Sequence, residues 1–138
     1  MRLFFSIAAI SLLIGCNSGP KQDLTHLQGY WEIQSVQTPD GQEKEFGVNT
    51  LIDYFQIDGQ TGSRSKMQPQ LDGSYKKQPT TETFRVIDSA GYWYLQYRTP
   101  YDSWQERLKE LDPDRLVLQI PAGNTYRYKR FEPIKLDD

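Results

Sequence analysis

One cysteine and one histidine in 138 residues leave little metal or redox chemistry to place. A lone Cys excludes an internal disulfide and any Cys-cluster zinc or iron–sulfur centre. A lone His, His26, excludes a His-rich metal site and leaves a Ser–His–Asp type triad a single candidate base. Sixteen Lys and Arg against eighteen Asp and Glu give a formal charge of −2, so the basic surplus of a nucleic-acid binder is missing. No segment approaches the ~20 apolar residues that cross a bilayer as a helix. Beyond residue 28 no stretch carries apolar residues at i, i+3 and i+4, so long amphipathic helices are not expected. The length fits a single domain. No cofactor, metal site or catalytic residue is expected.

What is present begins with an address. Arg2 supplies a positive start, and residues 3–14 form an apolar run broken only by Ser6 and Ser11. That is the make-up of a secretory leader. Its end, Leu13-Ile14-Gly15-Cys16, resembles the lipobox of bacterial lipoproteins. The resemblance implies that the Cys16 thiol is alkylated by a diacylglyceryl group. It also implies that the signal peptide 1–15 is cut away and that the new amine can be acylated, for instance with palmitate. A single acyl chain holds a protein only marginally at about 0.8 kcal/mol per buried CH₂, so durable anchoring needs two or three. Residues 16–23 are polar with Gly19 and Pro20, a short flexible tether. In enterobacterial lipoproteins an Asp after the lipidated Cys favours the inner membrane. Asn17 stands there instead and leans toward an outer-membrane position facing the periplasm.

From residue 24 to 138 one domain is expected, built of short alternating strands. They are placed at 29–37, 50–57, 64–68, 80–88, 92–98, 104–111, 115–119 and 125–131. Turn residues separate them, among them Pro39-Asp40-Gly41, Asp58-Gly59, Leu71-Asp72-Gly73, Ser89-Ala90-Gly91 and Asp112-Pro113-Asp114. Pro69 demotes the third strand toward an edge or a bulge. Phe84 and Val86 are expected to face Trp93 and Leu95 across a hairpin in which Gly91 supplies a positive φ. Eight antiparallel strands in so short a domain must each bury one face. An up-and-down barrel does so and removes exposed edges, with a two-sheet sandwich as the alternative. Aromatic residues are 13% of the chain, which suits a narrow lumen filled or lined by large rings.

Leu24-Thr25-His26-Leu27-Gln28-Gly29-Tyr30-Trp31 resembles the opening of lipocalin-like domains, a helical turn followed by Gly-x-Trp in the first strand. Thr25 and Gln28 have capping-box spacing. The stretch Tyr126-Arg127-Tyr128-Lys129-Arg130-Phe131 offers Arg130 where that family places an Arg over the Trp. The residues from Lys109 to Leu118 also look like the penultimate hairpin of small bacterial lipocalin-like lipoproteins. The resemblance implies an all-β, antiparallel, eight-stranded lipocalin-like barrel closed by Gly29, Trp31 and Arg130. Phe55, Phe84, Trp93, Leu95, Tyr97, Tyr126 and Tyr128 are the candidate ligand-lining residues. The function implied is a membrane-anchored envelope lipoprotein binding a small hydrophobic or amphipathic molecule. The alternative is a side-chain-filled barrel acting on a protein partner in an envelope assembly.

Other motifs are weaker. Ser63-Arg64-Ser65-Lys66 matches a Ser-x-x-Lys nucleophile pattern, but that chemistry needs the two residues one helical turn apart, and here they fall in a strand. Arg64 and Lys66, or Lys76 and Lys77, have the charge to hold an anionic headgroup, although solvated strand faces account for them more simply. Asp112 and Asp114 fit a Pro turn. An enzyme is not expected.

Overall fold

β1 (Gly29–Gln37) follows a four-residue 3-10 turn, Leu24–Leu27, in a computed structural model that describes residues 23–133. The signal peptide, Cys16 and tether residues 16–22 lie outside the described residues. The expected capping box does not form. Asp23 caps the turn, accepting from the Thr25 amide at 3.0 Å and from its hydroxyl at 2.7 Å, so Thr25 is a donor rather than the cap. Gln28 instead ties the turn to the strand that holds Ile57, accepting from the Ile57 amide at 2.9 Å.

The remaining strands are β2 (Glu43–Glu45), β3 (Ile52–Asp58), β4 (Thr61–Pro69), β5 (Tyr75–Ser89), β6 (Tyr92–Arg98), β7 (Ser103–Leu111), β8 (Arg115–Gln119) and β9 (Thr125–Arg130). From β3 onward each pairs antiparallel with the next, and β9 returns to β1 from Trp31↔Arg130 to Gln37↔Thr125. The result is an eight-stranded up-and-down barrel. The short β2 was not expected. β3 covers only residues 29–31 of β1, and β2 satisfies the same edge at residues 35–37.

Pro69 does not make β4 an edge. The strand pairs on both sides, and Pro69 is its last residue, where a missing amide costs least. The bulge falls earlier, between Ser65 and Met67. In the β5–β6 hairpin Val86 lies opposite Leu95, whereas Phe84 meets Tyr97 and Trp93 meets Asp88. Ala90 as well as Gly91 has a positive φ, the geometry of a two-residue turn that matches strand twist.

The core gathers Trp31, Phe55, Val86, Leu95, Leu108, Leu116 and Tyr128 from β1, β3 and β5–β9. β4 adds one buried apolar side chain, Met67, which lies outside that cluster. Gly62 leaves its place to the Phe84 ring, which would lie 2.5 Å from an added Cβ. Two strand positions further, at the same inward parity, stands Arg64.

Outside the barrel, Tyr30 stacks on Tyr54 at 4.6 Å and on Tyr75 at 4.1 Å. Phe131 meets Tyr75 edge-on, so the start of β5 is fastened to the outer wall by rings.

Candidate functional site

The barrel has two unlike ends. At the first, Trp31 is fully buried and its indole N–H donates to the Leu27 carbonyl at 2.9 Å. The Arg130 guanidinium lies 3.8 Å from the indole ring centre. Its three nitrogens donate to the carbonyls of Pro113, Gln28 and His26 at 2.9, 2.8 and 2.7 Å. A planar fork can serve three carbonyls and a ring face at once; an ammonium cannot. Gly29 has φ +120°, and a Cβ there would come within 2.8 Å of an Arg130 nitrogen. These three residues meet at one point, each excluding bulk from the next. Burial lowers the Arg130 pKa, with Asp114 opposing the shift.

The other end is charged. Tyr97 and Trp104, which stack at 5.2 Å, flank the β6–β7 loop, and that loop leaves β7 at the end away from Pro113. Arg64 enters there, its guanidinium 4.5 Å from the Tyr97 ring centre and 5.8 Å from that of Phe55. It pairs with Glu82 at 2.6 Å and reaches Glu106 at 3.5 Å. Beside it Lys66 pairs with Asp53 at 2.6 Å. Arg64 is 12% exposed and Glu82 31%, so solvent reaches the cluster from this end.

The electrostatics follow from burial and neighbours. Burial works against the Arg64 charge, but Tyr97, Glu106, Asp53 and Tyr128 around it raise its pKa above the ordinary value. Burial raises Glu106, while Arg64 and the Tyr97 hydroxyl pull it back. Tyr97 is raised well above a normal phenol, chiefly by burial. Its hydroxyl lies beside Glu106 without a hydrogen bond of regular geometry.

Of the candidate ligand-lining residues, Phe55, Phe84, Leu95, Tyr97 and Tyr128 are buried together in the core, and Trp93 and Tyr126 pack against it half-buried. Phe84 and Tyr97 also carry the ring chain that leads from Phe55 to the charged end. In the Ser-x-x-Lys segment Ser65 bonds to Thr81, and Lys66 turns to Asp53. Arg64, weighed in the sequence as a solvated charge, is inside. Asp53, Glu82 and Glu106 were missed. Their signal was parity: Asp53 alternates in step with Phe55, Glu82 with Phe84, and Glu106 with Leu108.

A third feature is an open groove of about 1110 Å³. One row along it is Gln56, Ser63, Thr83, Arg98 and Ser103, each opposite the next. A second is Asp58, Thr61, Arg85, Gln96 and Gln105. Between them runs the inward row from Gly62 through Phe84 and Tyr97 to Trp104. The side chains of the two flanking rows therefore point away from the lumen, and the groove crosses the outer wall of β3–β7.

No protein-family model matches the chain, and no curated protein does. Among solved structures it is similar to a lipocalin-like protein from Bacteroides uniformis, at 16% identity over 77% of this chain and 99% of that one, with a TM-score of 0.48. An uncharacterized protein from Bacteroides eggerthii gives 14%, 76%, 99% and 0.49. Lobster apocrustacyanin A1 gives 11%, 80%, 64% and 0.44. At these values none of them assigns a function to this chain.

Proposed function

We propose that the protein is a lipid-anchored envelope protein of the lipocalin-like type. In this reading Cys16 carries the lipid, in the outer membrane facing the periplasm. The charged end of the barrel holds the polar head of a small amphipathic molecule against tyrosine and tryptophan rings. The protein binds and does not catalyse.

The observation that supports binding most directly is Arg64 inside the barrel with Glu82 and Glu106. Replacing a buried ion pair with apolar side chains is commonly neutral or stabilising, so stability alone gives no reason to keep this one. An aromatic wall with a few convergent polar groups is what small-molecule sites offer.

Native mass spectrometry of the purified protein tests this. The expected result is a bound molecule released on denaturation, and its loss in Arg64→Met at unchanged circular dichroism. A protein that carries nothing and copurifies with an envelope partner would establish the second reading. That reading, a filled barrel working through its surface, is favoured by the packing of Phe55, Leu95 and Tyr97, each fully buried. For the anchor, Cys16→Ser should abolish fatty-acid labelling and free the protein from membranes; unchanged labelling would refute the lipid assignment.

A further inference from the structure

The outer groove carries chemistry that the barrel itself does not use. Arg85 and Arg98 have no side-chain partner among the described residues, nor do Gln96, Gln105 and Ser103. Thr83 lies opposite Arg98 and Arg85 opposite Gln96, so the two arginines are diagonal neighbours on one face. Diagonal positions on paired strands are about 7–8 Å apart, close enough for both guanidinia to reach one anion. Asp58, at the far edge on β3, is the single acidic residue of the groove.

Donors and acceptors continue beyond it. Gln105 also borders a second concavity of about 300 Å³ with Tyr94, Arg107 and Gln119. There the Arg107 guanidinium lies 3.7 Å from the Tyr92 ring centre, and Tyr92 is about half exposed. The two concavities together thus present amides, hydroxyls, tyrosine rings and three arginines against one carboxylate. Five strands at roughly 4.8 Å spacing give the main groove a length of about 19 Å.

We infer that this outer wall binds an acidic oligosaccharide, several sugar units long, with a carboxylate between Arg85 and Arg98 and its hydroxyls on Gln96, Gln105 and Ser103. Amides and hydroxyls match sugar hydroxyls, which both donate and accept. Forked guanidinia match a carboxylate. A bare apolar ligand would leave every one of these groups unpaired.

Isothermal titration of the full-length protein in detergent with tetragalacturonate, and with neutral maltotetraose as its counterpart, tests the inference. Tetragalacturonate should bind, with maltotetraose at least about tenfold weaker, and the affinity should fall as salt screens the pair. Arg85→Gln with Arg98→Gln should weaken the acidic probe by at least about tenfold, at unchanged circular dichroism. Arg64→Met should leave it unaltered, which separates this site from the lumen. Equal binding of both probes, no binding of tetragalacturonate at millimolar concentration, or wild-type affinity in the double variant would overturn it.

Discussion

The two ends of this barrel solve the same problem with opposite means. Each must finish a cylinder without leaving polar groups unpaired. The end at Trp31 does so with one indole, one guanidinium and three backbone carbonyls, all mutually satisfied. The end at Arg64 brings five charges together, and Tyr97 keeps a hydroxyl there without a regular hydrogen bond. A satisfied polar closure specifies a fold; a costly and partly satisfied one asks for a further role.

The sharpest way to break this comparison is at the first end. Trp31→Ala removes a fully buried indole and should cost about 3–5 kcal/mol in urea denaturation. A loss below about 1 kcal/mol would mean that the floor is not the fold's keystone. At the second end, Arg64→Ala leaves Glu106 without its cation and should cost about 2–4 kcal/mol, tempered by partial exposure. Arg64→Met combined with Glu106→Leu should recover most of that loss in the same measurement. Failure to recover would make the charged end structural after all.

Arg130→Lys keeps the charge but not the fork. It should cost about 1–2 kcal/mol, and a double-mutant cycle with Trp31→Ala should be non-additive. Simple additivity would argue against the ring contact.

The smallest effect is a pH dependence. Burial raises the Glu106 pKa in the folded state, so the folded protein holds that proton when the unfolded chain has lost it. Stability from this group is therefore greatest below the usual carboxylate range and falls as pH rises through and just above it. Relative to Glu106→Gln, the melting temperature of the unmodified protein should drop across that window. A difference independent of pH would remove Glu106 from the interior.

Much of the first end was legible because its parts are local or terminal. Gly29 and Trp31 open the first strand, Arg130 ends the last, and closing any barrel brings those two strands together. The turn residues of 58–59, 90–91 and 112–114 likewise divide the strands by local backbone preference. β2 was illegible for the converse reason: nothing in Glu43-Lys44-Glu45 favours a strand, and only a vacant edge on β1 calls for one.

Sequence alternation by itself determined the strand count of the barrel and the inward side of the strands with a clear apolar face, such as those that carry Trp31, Phe84 and Leu95, since a pleated chain sends alternate side chains to opposite faces. It could not decide what those inward faces do together. Whether Arg64 meets solvent or carboxylates depends on register across β3, β4, β5 and β7, and on Gly62 making room for Phe84. Those are relations between segments far apart in the chain, and only the closed barrel fixes them.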